Sequence, residues 1–119
     1  MKRGEVWWAD LGPYRLREQT GRRPVIIWQS DALTQALQSI LVIPLATNTK
    51  RAHLAGTAVV AASPDGLPED SVALAFQLRA ILKSALQSKI RNLTEDEVME
   101  LELATDEALG RVEPTKQKD

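Results

Sequence analysis

Glu18-Gln19-Thr20-Gly21-Arg22-Arg23-Pro24 runs directly into Val25-Ile26-Ile27-Trp28. The second half is a short continuous apolar run, so residues 24–29 read as a central strand buried on both faces. The first half is a charged, glycine-containing loop that delivers two arginines to the mouth of that strand. Pro24 fixes its own φ and pushes Arg23 toward an extended conformation. An arginine held there is either a solvated or salt-bridged strand start, or a guanidinium fork preset for a phosphate.

Working outward, residues 4–10 (Gly-Glu-Val-Trp-Trp-Ala-Asp) alternate loosely and are rich in β-formers, which predicts a strand ended by Gly12-Pro13. Residues 14–23 form a polar, basic loop too long for a tight hairpin, and long ordered loops tend to be functional. Ser30-Asp31 offers an N-cap for a short helix to about Leu37. Residues 39–45 form another apolar strand, in which Pro44 implies an edge or a bulge. A polar loop at 46–51, a strand at 56–62 and the turn Ser63-Pro64-Asp65-Gly66 follow. Residues 71–78 read as a strand, continued past a bend by Arg79-Ala80-Ile81-Leu82, with a short helix near 84–87.

Thr94-Glu95-Asp96-Glu97 is a capping box, in which Thr94 and Glu97 satisfy each other's free N–H groups. It opens a helix with Val98, Leu101 and Ala108 near one face, and Gly110 is placed to end it. The fold class is mainly β (α+β): five or six short strands forming a small barrel, with short helices and a C-terminal α-helix laid on it. Residues 1–110 read as a single domain and 111–119 as a frayed tail.

The chain has 119 residues, 44% hydrophobic and 26% charged, enough for one core. It has no cysteine, which removes disulfides, thiolate metal sites and Cys nucleophiles and fits a reducing cytoplasm. Met1-Lys2-Arg3-Gly4-Glu5-Val6 carries no apolar signal region, and no apolar run approaches the ~20 residues of a membrane span. The expectation is a soluble, cytoplasmic protein without a membrane partner.

Net charge is −1 and the pI about 5.9, which argues against a generic polyanion binder. The charges are segregated, however. Lys2, Arg3, Arg15, Arg17, Arg22 and Arg23 crowd the first quarter, while Glu95, Asp96, Glu97, Glu100, Glu102, Asp106 and Glu107 crowd the last. A locally basic surface can still bind nucleic acid; the acidic cluster reads as a solvated helix face.

The lone His53, beside Lys50 and Arg51, excludes a two-histidine ribonuclease site and reads as exposed. The carboxylates sit mostly on the terminal helix rather than in a metal-binding cluster, and no cofactor is implied. There is neither a glycine-rich phosphate loop nor a Gly-x-Ser-x-Gly elbow. What remains is a set of polar groups at strand ends: Arg23, then Thr47 and Asn48, then Gln77 and Arg79. Guanidinium, hydroxyl and amide groups can hold a phosphate and stabilise charge added to it. RNA brings its own nucleophile, the 2′-OH. Each residue also has a structural reading, Gln77 as a barrel-interior amide and Thr47 as a turn residue.

Lys2-Arg3-Gly4-Glu5-Val6-Trp7, Glu18-Gln19-Thr20-Gly21-Arg22-Arg23-Pro24-Val25, Val42-Ile43-Pro44-Leu45 and Asp70-Ser71-Val72-Ala73-Leu74 with Gln77-Leu78-Arg79 together resemble the MazF/PemK toxins, the mRNA-cleaving halves of toxin–antitoxin pairs. The resemblance runs from Lys2 to about Leu109. It implies an SH3-like barrel of five to seven strands, a homodimer, and sequence-specific, metal-independent cleavage of single-stranded RNA that leaves a 2′,3′-cyclic phosphate and a 5′-OH. It implies a cognate MazE-like antitoxin whose acidic tail folds onto the RNA groove. Arg23 would be the phosphate-binding catalytic arginine, and Gln77 and the Glu18-Gln19 loop would meet the RNA. Arg15, Arg17, Asn48 and Arg79 complete the expected substrate-binding set.

Two positions depart from the family pattern. After Pro-Leu the family usually places Thr or Ser as the catalytic hydroxyl, and here Ala46 stands there with Thr47 one later. A one-residue shift reverses a strand side chain, although a bulge after Pro44 would re-aim it; Thr47 is taken as the hydroxyl. Some members also carry an acidic residue before the glutamine, where this chain has Phe76. Trp7 and Trp28 read as packing anchors, and Trp8 stays open between packing and base stacking. Two further readings stand beside the nuclease: a binding toxin on the same barrel that inhibits a protein such as gyrase, as the related CcdB group does, and a catalytically degenerate RNA-binding module.

Overall fold

The computed structural model describes residues 1–13 and 21–114. Seven strands form one antiparallel sheet: β1 (Glu5–Asp10), β2 (Arg22–Ile27), β3 (Ser39–Ala46), β4 (Thr57–Val60), β5 (Ser71–Leu74), β6 (Arg79–Leu82) and β7 (Leu86–Asn92). The strand order is β4-β5-β3-β2-β1-β7, with β6 also paired to β3. Helix α1 (Asp31–Ala36) follows β2, and helix α2 (Glu95–Ala108) closes the chain against β4.

Pro44 shows how sequence shapes this sheet. It lies in a central strand rather than at an edge, opposite Val25 of β2. On its other side β3 changes partner, from β6 (Val42 opposite Arg79) to β5 (Leu45 opposite Ala73). A residue without an N–H is tolerated where the second ladder is interrupted. The same change splits the expected 71–78 strand. β5 stops at Leu74, and Ala75–Gln77 form a 3-10 turn before β6 begins. Gln77 therefore sits in a turn, not a strand. β2 starts earlier than its apolar run, so Arg22 and Arg23 belong to the strand rather than to the preceding loop.

The main core joins Val6, Ile26, Ile43 and Leu45 of the sheet and Trp28, just past β2, to Leu101 and Ala104 of α2. A second cluster on the opposite face of β1 and β2 holds Ala9, Val25, Ile27, Ile40 and Val42. Trp28 is the packing anchor expected, 8% exposed, with its indole N–H donating to Thr105 Oγ1 at 3.0 Å. Arg3 stacks over its ring at 3.9 Å.

Both caps of α2 form as their sequences demand. Thr94 Oγ1 accepts from the Glu97 N–H while Glu97 accepts from the Thr94 N–H. At the other end Gly110, at φ +75°, lets its own N–H reach the Glu107 carbonyl and the Arg111 N–H reach that of Asp106. Arg111 is thus part of the helix cap. The buried face is Leu101, Ala104 and Glu107, and Ala108 is exposed. The acidic cluster is not wholly a solvated face either. Glu107 is 8% exposed and accepts from the Gly56 N–H at 3.2 Å, and Glu97 is paired with Arg91.

Candidate nucleic-acid interface

One end of the barrel carries a cavity of about 210 Å³ where β1, β2, the end of β3 and the start of β5 converge. Trp8, Pro24, Leu67 and Pro68 give it an apolar side, and Arg22, Arg23, Thr47, Glu69 and Ser71 its polar groups. The register explains the grouping. Trp8 lies opposite Pro24 and Asp10 opposite Arg22, so these four share one face of the β1–β2 ladder. Arg23 lies opposite Ala9 on the other face and borders the cavity at the strand's mouth, half-buried.

Positions 46 and 47 are turned to different surroundings. Leu45 opposite Ala73 faces the main core, whereas Ala46 opposite Val72 is turned into a separate apolar cluster with Val72 and Leu74. Thr47, just past the end of β3, and Ser71, at the start of β5, line the cavity. Position 46 is buried at 7% exposure and position 47 is exposed. Thr47 is the first residue past β3, in the bend that follows it.

Of the residues expected at the site, Arg23 and Thr47 meet at this cavity. Asn48 is engaged elsewhere, its side-chain oxygen accepting the Lys50 N–H at 3.2 Å to cap the 3-10 helix Thr49–His53. Gln77 is half-buried in its turn and Arg79 half-buried opposite Val42; neither lines the cavity. Arg15, Arg17, Glu18 and Gln19 lie outside the described residues. His53 is exposed, as expected. Among the described residues no three His, Asp or Glu side chains gather as a metal site, and no helix is long and apolar enough to cross a membrane.

The structure adds residues that the sequence reading missed. Arg22 lies over the Trp8 ring at 4.0 Å while its Nε donates to Gln87 Oε1 at 2.9 Å. A guanidinium stacked and hydrogen-bonded this way is fixed as a flat cationic plate. The loop from β4 to β5 supplies Leu67, Pro68 and Glu69. Trp8 had a signal, the alternation against Trp7. Trp7 is half-buried on the second cluster, and its indole N–H donates to Glu5 Oε1 at 2.9 Å. Burial pushes the Glu5 carboxyl up, but that bond and the Lys2 N–H, Lys89 and the N-terminus outweigh it and hold it below the usual range.

A family model described as "PemK-like, MazF-like toxin of type II toxin-antitoxin system" matches residues 2–109. The chain belongs to the PemK/MazF toxin family. The Endoribonuclease EndoA of Bacillus subtilis is 37% identical over 109 residues, covering 92% of this chain and 90% of its own. The Endoribonuclease MazF of Staphylococcus saprophyticus is 33% identical over 110 residues, 92% of both chains. Among solved structures, a mycobacterial endoribonuclease in complex with its cognate antitoxin superposes with a TM-score of 0.76 at 23% identity, covering 96% of this chain and 99% of that one. MazF from Deinococcus radiodurans matches with a TM-score of 0.76 at 20% identity, covering 92% and 96%. These likenesses extend to the fold the small antiparallel barrel with its C-terminal helix. Membership places the chain among the endoribonuclease toxins of type II toxin–antitoxin systems.

Proposed function

We propose that this PemK/MazF toxin cuts single-stranded RNA at the Arg23–Thr47 cavity by attack of the substrate's own 2′-OH, without a metal ion. The bond from the 2′-oxygen to phosphorus forms as the bond to the 5′-oxygen breaks, the 2′-OH proton passing to water and the 5′-oxygen taking one from water, which leaves a 2′,3′-cyclic phosphate and a 5′-OH. Arg23 is a permanent cation, unsuited to general-base work but suited to the extra negative charge of the phosphorane. Thr47 donates its hydroxyl to a non-bridging oxygen, and Arg22 neutralises the adjoining phosphate. Arg15, Arg17, Glu18, Gln19, Asn48, Gln77 and Arg79 belong to the longer path of the strand. The observation that carries this reading is the convergence of Arg23, in β2, and Thr47, just past β3, on one cavity.

The toxin acts in the cytoplasm as a homodimer. Its partner is a MazE-like antitoxin with an acidic tail, in keeping with the antitoxin complexes solved for structural relatives. The test is to incubate the purified chain with RNA in EDTA and sequence the 5′-OH ends. Cleavage at a short recurrent sequence is expected, lost in Arg23→Ala. Cleavage by Arg23→Ala within tenfold of wild type overturns the role given to Arg23.

A further inference from the structure

Phosphate chemistry leaves one rim of the cavity unused. Glu69 stands there, an anion beside a site for a polyanion. The loop that carries it is braced on both sides of Glu69. The Ala62 N–H donates to Asp70 Oδ1 at 2.8 Å, the Ser63 N–H to the Leu67 carbonyl at 3.2 Å, and the Gly66 N–H to the Ser63 carbonyl at 3.1 Å. Ser71, 2% exposed, donates its hydroxyl to the Glu69 carbonyl at 3.2 Å. Pro68, directly before Glu69, has its own φ fixed by its ring. A carboxylate on so braced a loop repels phosphate oxygens, so its partner must be another part of the substrate.

Trp8 and Arg22, stacked at 4.0 Å, also line this cavity. Unstacked RNA bases pack on such aromatic and guanidinium planes and are read along their Watson–Crick edges. At about 210 Å³ the cavity lies below the ~300–1,000 Å³ of ordinary ligand pockets and suits one flat heterocycle. An ionised carboxylate only accepts hydrogen bonds. Guanine alone among the four RNA bases offers two adjacent donors on that edge, N1–H and the N2 amino group. Adenine and cytosine offer one amino group beside an acceptor, and uracil one N–H between two carbonyls that a carboxylate repels.

We infer that the Glu69 side of this cavity, beside the phosphate held at its rim by Arg23 and Thr47, is a nucleobase subsite selective for guanine, with Glu69 accepting from N1–H and the N2 amino group while the ring lies against the Trp8–Arg22 stack. The inference rests on the RNA-cleaving reading for its substrate class. It makes Glu69 and Trp8 specificity determinants, and Ser71 a positioning residue that holds the Glu69 backbone.

The test uses binding as well as cleavage, so that the two readings fail separately. Short RNAs carrying a 2′-deoxy scissile nucleotide, with each base in turn at every position, are titrated onto the wild-type chain and Glu69→Gln. One position should favour guanine about tenfold, the scale of a bidentate base contact. Inosine, which lacks the amino group, should lose most of that advantage, and Glu69→Gln should lose the distinction between guanine and inosine. Equal binding of guanine and inosine at every position by the wild type overturns the subsite, whether or not RNA is cut, as does an unchanged preference in Glu69→Gln. Discrimination without cleavage of the all-ribose RNA leaves the subsite standing and overturns the nuclease reading.

Discussion

Arg91 and Glu97 join the two edges of the sheet. Arg91, on β7, donates to Glu97 at the start of α2 through two hydrogen bonds of 2.7 and 2.8 Å. Both side chains also reach the residue just past β4. Arg91 Nη2 donates to the Ala61 carbonyl at 3.1 Å, and Glu97 accepts from the Ala61 N–H at 3.3 Å. β4 and β7 are the termini of the strand order and share no backbone ladder. One ion pair therefore bridges strands that the sheet itself leaves apart, and it occupies backbone groups at the end of an edge strand. Its bidentate geometry and low exposure, 17% and 14%, separate it from an ordinary surface salt bridge.

Removing either partner leaves the other charge largely out of water. Arg91→Ala and Glu97→Ala should each destabilise the fold by about 2–4 kcal/mol, toward the lower part of the range for broken buried pairs. The double variant should cost less than the two single losses added together. Urea denaturation of all four proteins measures this, and strict additivity would mean that the pair is not coupled.

The same pair sets an acid sensitivity. Burial pushes the Glu97 carboxyl up, but the Arg91 hydrogen bonds and charge and the Thr94 and Ala61 N–H groups draw it from 4.5 down to about 2. The folded value lies below the unfolded one, so the unfolded chain binds the extra proton. The contribution, about 3 kcal/mol, is full above pH ~5 and drains away as pH falls through 4.5 toward 2. Glu97→Gln should be less stable at pH 7 yet show a flatter loss between pH 5 and 2. Parallel acid titrations of the two proteins would contradict this.

Thr47→Ala should lower the cleavage rate by about 10²–10³-fold, the cost of one lost transition-state donor. Adding Ala46→Thr should not restore it, because position 46 faces Val72 and Leu74 rather than the cavity. That hydroxyl should instead destabilise the fold by about 1–3 kcal/mol. Single-turnover rates and denaturation of the two variants separate the effects; rescue of cleavage would refute the assigned strand alternation.

Arg22→Ala should leave the fold within about 1 kcal/mol, as for an exposed cation–π contact. Neutralising one phosphate fewer, it should reduce the slope of log affinity against log salt by about 0.7 for single-stranded RNA. An unchanged slope would remove Arg22 from the RNA path.

Gly56 sits at φ +79°, donates its N–H to Glu107 and accepts the Ala75 N–H at 2.9 Å. A Cβ there would press on Phe76 at 3.2 Å and Ala108 at 3.5 Å. Gly56→Ala should therefore cost about 1–2 kcal/mol from the left-handed backbone alone, with crowding added to that. A thermal midpoint equal to wild type would show that the α2–β4 junction relaxes freely.

Local chemistry was legible from one sequence. The capping box at Thr94, the stop at Gly110, the buried run after Pro24 and the break after Gly12 each depend on neighbours within a few residues. The Arg23-Pro24 block stood out for the same reason, whereas local signals left the choice between positions 46 and 47 to the fold. β7 was not. Of its seven residues only Leu86 is buried, and it pairs with β1 through shifted register, so no apolar alternation announces it. Nor does anything near Glu107 reveal that its carboxylate turns inward to Gly56, a partner 51 residues away.

The order of short-range signals along the chain thus established a mainly β fold with a terminal helix, because strand, turn and cap preferences are settled by adjacent side chains. Only the folded sheet decided that Thr47 rather than residue 46 borders the cavity, that Trp8, Arg22 and Glu69 share it, and that Arg91 spans the gap between β7 and β4. Those facts follow from register between distant strands. Pairing shifted by one residue would have turned the same side chains to the opposite face.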